Sequence, residues 1–290
     1  MNPALQQAVE RALGASFLQV SPLAGGDINQ AHRVTLLDHR EVFIKSNRRA
    51  PRTLFSTEAA GLAWLGQANV LSLPEVLACS EPDAPQEEAF LALEFIPPSP
   101  AGPDFDQALG HQLAALHQDS VPCFGLEYDN FIGTLPQSNS PTTRWHEFYR
   151  DNRLAPLLKR AFDQGLFTTT QRQLWDRLLE TLERYVGPDE APARLHGDLW
   201  GGNLLINQSG GPTLIDPAVY GGHREMDLAM MKLFGGFNPG VFEAYNETFP
   251  LAPDHIQRVH LYQLYPLLVH VNLFGGHYVH SAMSALSHYN

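Results

Sequence analysis

Three polar residues in the second half of the chain have types and spacing that suit phosphoryl transfer. The string Leu195-His196-Gly197-Asp198-Leu199-Trp200-Gly201-Gly202-Asn203-Leu204-Leu205 is followed by Leu214-Ile215-Asp216-Pro217. Asn203–Asn207 and Thr213–Ile215 read as a short strand pair closed by Gln208-Ser209-Gly210-Gly211. Such a hairpin turns Asn203 and Asp216 towards one point. Two oxygen donors there suit Mg2+, which takes one or two protein carboxylates and completes its octahedron with phosphates and water. Asp198 stands one loop away, where it could take a proton from a hydroxyl, as phosphoryl transfer requires. Any one of the three alone would read as a turn cap or a hairpin closer; the complete string between apolar flanks carries the chemistry.

The spacing matches that of a kinase catalytic loop, with His196-Gly197-Asp198 in place of His-Arg-Asp. The first third of the chain supplies the complement. Lys45 ends the strand-like run Val42-Phe43-Ile44-Lys45, and Glu58 follows thirteen residues later on a helical segment. In a nucleotide site such a lysine holds phosphates and the helix glutamate orients it. Gly25-Gly26-Asp27-Ile28-Asn29 is a turn whose glycines let backbone N–H groups approach an anion. Glu94-Phe95-Ile96 ends a strand where backbone groups could meet an adenine edge.

The elements that must position these residues are readable from periodicity. Residues 3–14 form a helix pattern with Pro3 at its start and Gly14 after its end. Ser16–Leu23, Ala31–Leu37, Glu41–Ser46, Val76–Ser80 and Ala89–Phe95 read as strands, and Thr53–Gly66 as a helix with an apolar face. Four prolines and a glycine within residues 97–103 predict a stiff linker. The expected organisation is therefore α+β: a β-rich nucleotide-binding lobe over 1–96, a hinge over 97–103, and a larger helical lobe over 104–290. Helices are expected over 104–118, 143–161, 168–186, 224–234, 239–247 and 254–280. Ligand sites favour the cleft that such a two-lobed layout creates.

Composition bounds the class. The 290 residues carry 19 Lys and Arg against 31 Asp and Glu, a formal net charge of −12. Nucleic-acid and anionic-membrane binding need clustered cations, so neither is expected. The two cysteines, Cys79 and Cys123, exclude a disulfide scaffold and a cysteine zinc cluster and fit a reducing cytoplasm. No run of about 18 apolar residues exists, because Gln263, Pro266, His270 and Asn272 interrupt the most apolar late stretch, Leu261–Gly276.

The string Leu-His-Gly-Asp-Leu-Trp-Gly-Gly-Asn resembles the fructosamine kinase family, whose fold is protein-kinase-like. Phe124-Gly125, Asn130-Phe131-Ile132-Gly133, Leu135–Asn139, Trp145, Phe148-Tyr149 and Arg153-Leu154 follow in the family's order. So do Asp216-Pro217-Ala218, Tyr220–Ala229 and Phe234–Phe237, and the likeness runs from Gly25 to about Tyr265. It implies two lobes, ATP as co-substrate, Mg2+, and a ketosamine, small or protein-linked, phosphorylated on its third carbon in a deglycation-type repair. By the resemblance, Asp198 accepts the proton, Asn203 and Asp216 hold metal, Lys45 contacts phosphate, and Glu94–Ile96 holds adenine. Trp200 borders the sugar or, as a core residue, props the loop; Asp227 braces the catalytic loop in preference to contacting substrate; and His196 is scaffold. Asp27 occupies the place where some family members carry a cysteine, so redox control is not expected. A monomer or weak dimer is expected. The rival readings are an aminoglycoside- or choline-type kinase and a nucleotide-binding pseudokinase scaffold. The intact set of Lys45, Glu58, Asp198, Asn203 and Asp216 speaks against the scaffold.

Overall fold

A computed structural model of the chain describes residues 1–23 and 29–289. In chain order the elements are α1 (Pro3–Leu13), β1 (Phe17–Leu23), β2 (Gln30–Leu36), β3 (Glu41–Ser46), α2 (Leu54–Gly66), β4 (Val76–Cys79), β5 (Phe90–Glu94) and α3 (Phe105–Gln118). They continue with β6 (Asn130–Ile132), β7 (Leu135–Gln137), α4 (Trp145–Phe148), α5 (Ala155–Asp163), α6 (Thr169–Thr181), β8 (Ala193–Leu195), β9 (Leu204–Ile206) and β10 (Pro212–Leu214). Last come β11 (Tyr220–Gly222), α7 (Glu225–Phe234), α8 (Pro239–Thr248), α9 (His255–Phe274) and α10 (His277–Leu286). Two compact units result, one from residues 1–105 with 203–217, the other from 106–202 with 218–290.

The first unit is an antiparallel sheet in the order β1-β2-β3-β5-β4. Alternation along β2 and β3 turns Val34, Leu36, Val42 and Ile44 into a core with Leu5, Val9 and Leu13 of α1 and with Phe90 and Ala92 of β5. Each such aliphatic side chain, removed from water, contributes about 1.5–3 kcal/mol. The helix α1 starts where the Asn2 side chain accepts from the Leu5 amide at 2.7 Å, with Pro3 in the first turn. The hairpin β9–β10 packs with this unit, although the sequence places it in the second half of the chain. The Leu214 amide donates to the Ser72 carbonyl at 3.0 Å, and Gly102 N–H donates to Gly210 O at 2.9 Å.

The second unit is mainly helical and carries two strand pairs of three residues each, β6–β7 and β8–β11. Runs this short give no readable alternation, and neither pair is marked in the sequence. Its core gathers Trp145, Phe148, Tyr149, Trp175, Leu178, Tyr220, Tyr262 and Leu268 among others. The helix expected over 143–161 is interrupted by a π-helical turn, residues 149–154, which buries Tyr149, Arg153 and Leu154. The helix expected over 254–280 divides at Gly275 and Gly276, whose φ values of +67° and +41° lie in the left-handed region that suits glycine. Pro266 lies inside α9 without ending it. No helix among the described residues is long and apolar enough to cross a membrane.

Candidate active site

In the first unit, the site is built around one buried lysine. Lys45 is the fifth residue of β3, paired with Ala31 on one side and Leu91 on the other. Its side chain is 7% exposed and its Nζ donates to Glu58 Oε1 at 2.9 Å. A second, very short contact joins Nζ to Asp216 Oδ1. Glu58 projects from α2, and Asp216 follows β10, 171 residues away in sequence from Lys45. Burial alone would lower the Lys45 pKa, but the charges of Glu58 and Asp216 outweigh it and hold the ammonium above its ordinary range. Burial also raises the Glu58 carboxyl, against the opposing pull of Lys45.

Asn203 joins this cluster through the hairpin. The register pairs Leu204 with Leu214, the Ile215 amide donates to the Asn203 carbonyl at 3.1 Å, and Asn203 Nδ2 donates to the Asp216 carbonyl at 3.4 Å. Asp216 has φ +55°, a conformation that Asp tolerates better than most residues but that still strains it. Its carboxylate remains 35% exposed. Among the described residues, no group of three or more His, Cys, Asp or Glu could hold a metal unaided. A carboxylate with one neighbouring amide oxygen is instead the donor set that Mg2+ uses when phosphates complete its shell.

In the second unit, the turn that carries Asp198 is held by a buried carboxylate on α7. Asp227 Oδ2 accepts from the His196 amide at 2.8 Å, and Oδ1 accepts from the Gly197 amide at 2.9 Å. His117 of α3 completes the bracket, with Nε2 3.2 Å from Asp227 Oδ2 and Nδ1 2.8 Å from the Tyr245 hydroxyl. Burial alone would raise the Asp227 carboxyl. The hydrogen bond and charge of His117, the charge of His196 and the Gly197 amide hold it below the ordinary carboxylate range. Gly197 has φ +82°, and a Cβ there would overlap the Ala218 carbonyl oxygen. The turn therefore requires glycine at this position. Asp198 is half-buried, Leu199 anchors the turn in the core, and Trp200 is 42% exposed with its ring edge-on to Phe234.

The remaining expected residues fall as follows. Gly25, Gly26, Asp27 and Ile28 lie outside the described residues. Asn29 accepts from Asn47 Nδ2 at 3.1 Å. Glu94 ends β5 with its amide committed to the Glu75 carbonyl at 2.8 Å, Phe95 lies against the Arg33 guanidinium, and Ile96 is half-buried. His117 and Tyr245 went unrecognised in the sequence. Their only signal is a polar residue on the buried face of α3 and a tyrosine on that of α8.

The cysteines carry a prediction. Cys79 ends β4, where burial and the charges of Glu58 and Glu81 push its thiol up to about 11, so it stays protonated at neutral pH. Turnover is expected to be the same under mild oxidant and under dithiothreitol. A reversible several-fold change, abolished in Cys79→Ser or Cys123→Ser, would contradict this.

A family profile described as fructosamine kinase matches residues 1–289. A probable ketoamine kinase of Enterococcus faecium is 37% identical over 261 residues, covering 90% of this chain and 91% of that protein. A crystal structure of a protein assigned as a fructosamine-3-kinase from Thermobifida fusca superposes with a TM-score of 0.88 at 38% identity. It covers 98% of this chain and 97% of the other. The streptomycin–ATP ternary complex of APH(2")-IIa shares the fold at 14% identity, with a TM-score of 0.66 over 99% of this chain and 96% of that one. The architecture is thus that of the kinase-like phosphotransferases, and the chain belongs to the fructosamine kinase family.

Proposed function

We propose that the protein transfers the γ-phosphate of ATP to the 3-hydroxyl of a ketosamine. The observation that carries the reaction class is the Lys45–Glu58–Asp216 cluster, a buried ammonium held between two carboxylates. The substrate class rests on the likeness to ketoamine kinases along the chain. Lys45 presents its charge to the nucleotide phosphates, and Glu58 keeps it extended towards them. Asn203 and Asp216 would hold Mg2+, which when bound neutralises charge building on the phosphate oxygens. Asp198 takes the proton from the acceptor hydroxyl as its oxygen bonds to the γ-phosphorus and ADP leaves. His196 and Gly197, fastened to Asp227, hold Asp198 in place for that transfer. Trp200 offers an indole face to the sugar. A phosphate on the third carbon would favour breakdown of the adduct and release of the amine, a deglycating repair suited to the cytoplasm.

The substrate decides between this reading and other small-molecule kinases. A ketosamine presents one secondary ammonium beside a polyhydroxylated chain, whereas choline needs a closed aromatic box. Ribulosyl- or fructosyl-lysine is expected to exceed choline and kanamycin-type amines by at least about 100-fold in kcat/KM, roughly 2.7 kcal/mol in transition-state binding. A panel of glycated amines and antibiotics, assayed for ADP release and for product, tests this. Faster turnover of kanamycin or choline than of every glycated amine would overturn the ketosamine assignment.

A further inference from the structure

Arg153 lies in the π-helical turn and is fully buried, 0% exposed. It forms no ion pair among the described residues, and its Nε has no hydrogen-bond partner. Its guanidinium is stacked 3.8 Å from the Tyr220 ring centroid and 4.5 Å from that of Phe148. A buried charge surrounded by neutral groups is unfavourable, and an apolar residue of similar volume would ordinarily pack there at least as well. The reason for a cation must lie in what it holds.

What it holds is a chain of amides that ends under the Asp198 turn. One nitrogen, Nη1, donates to the Ser138 carbonyl at 2.6 Å and the Asn152 carbonyl at 3.0 Å, and Nη2 donates to Asn139 Oδ1 at 2.7 Å. Asn139 Nδ2 donates to Asn130 Oδ1 at 3.0 Å, and Gln137 Nε2 donates to the same oxygen at 2.7 Å. Gln137 also donates to the Ala218 carbonyl at 3.1 Å, and Asn130 donates to the Val219 carbonyl at 2.9 Å. The Tyr265 hydroxyl donates to Gln137 Oε1 and so fixes which way that amide faces. Beyond these carbonyls the catalytic turn begins. The Ala218 amide donates to the His196 carbonyl at 2.9 Å, the Ala218 carbonyl oxygen abuts Gly197, and Tyr220 pairs with Leu195.

We propose that Arg153 is a positioning residue for phosphotransfer, fixing through Asn139, Asn130 and Gln137 the Ala218–Tyr220 backbone on which the His196–Asp198 turn rests. Asp227 holds that turn by its amides; the Arg153 network holds the carbonyl side of the strand beneath it. A planar fork spreads its donors over separate nitrogens and so reaches two carbonyls and an amide oxygen that stand apart, whereas the donors of lysine share one nitrogen and methionine has none.

This inference rests on Asp198 being the proton acceptor, and the test separates the two. Arg153→Met and Gln137→Leu, which interrupt opposite ends of the chain, are each combined with Asp198→Asn in the full-length protein. Each single variant is expected to lower kcat by about 10–100-fold, the effect of a misplaced reacting group. The KM for nucleotide should stay within about twofold, since the phosphate cluster belongs to the other unit. Arg153→Lys, which keeps charge but loses the fork, should not restore turnover. In the Asp198→Asn background, the added loss should shrink to less than about twofold. Fully additive losses, normal kcat in a folded variant, rescue by lysine, or failure of both variants to fold would each overturn the positioning role. Normal turnover of Asp198→Asn itself would instead overturn the base assignment.

Discussion

Asp198→Asn is expected to lower kcat by about 10²–10⁴-fold, the usual worth of a positioned general base. The amide fills the same volume and the turn keeps its supports, because His196 and Gly197 are fastened through their backbone N–H groups to Asp227. What is lost is a place for the acceptor proton. Nucleotide KM should therefore change by no more than about twofold, since the proposed reading assigns the phosphates to Lys45 and its partners rather than to Asp198. Steady-state kinetics with ATP and a glycated lysine measure both parameters. Near-normal turnover would remove Asp198 from the proton transfer. A large rise in nucleotide KM would show that Asp198 acts on the phosphates.

Asp216→Ala is expected to abolish the Mg2+-dependent part of nucleotide stabilisation, with Asn203→Ala weakening it. Ligand that binds only the folded state stabilises by about 2.7 kcal/mol at one hundred times Kd. That corresponds to a Tm rise of about 5–11 °C for a chain of 150–250 residues, with a smaller rise for a longer one. Removing the carboxylate leaves Lys45 paired with Glu58 alone and takes away the charged member of the two-oxygen set. Removing Asn203 takes away only a neutral amide. Asp216 adopts φ +55°, where alanine is strained, so Asp216→Asn, which tolerates that conformation, serves as the companion variant. The comparison is between ATP alone and ATP with Mg2+ for each protein. Equal Mg2+-dependent shifts in wild type and in both Asp216 variants would refute the metal assignment.

Local chemistry was legible because it is carried by short stretches of chain. Asn203 and Asp216 meet across a hairpin whose turn residues and apolar flanks stand next to each other in sequence. Lys45 and Glu58 lie one strand and one helix apart, a distance that periodicity bridges. Where a helix ends was less legible. Gly275 and Gly276 end α9, yet the apolar pattern continues on both sides of them. The π-helical turn at 149–154 leaves the apolar spacing nearly undisturbed and has no sequence mark of its own.

By itself the sequence determined an α+β chain, the order of the five N-terminal strands and of most helices, and the set of residue types that phosphoryl transfer needs. These follow from backbone propensity, turn chemistry and the period of apolar residues, all of which act within a few residues. Tertiary structure alone decided that the 203–217 hairpin packs with the N-terminal unit, through the Ser72 carbonyl and Gly102. It alone brought His117 and Tyr245 to Asp227, and Arg153 into the amide chain beneath Ala218. The contacts of His117 with Tyr245 and Asp227 and of Gln137 with Ala218 join residues roughly 80 to 130 positions apart, and no periodic pattern encodes them. They arise because a polar group carried into a packed interior must find a partner there, and only the assembled core fixes which one.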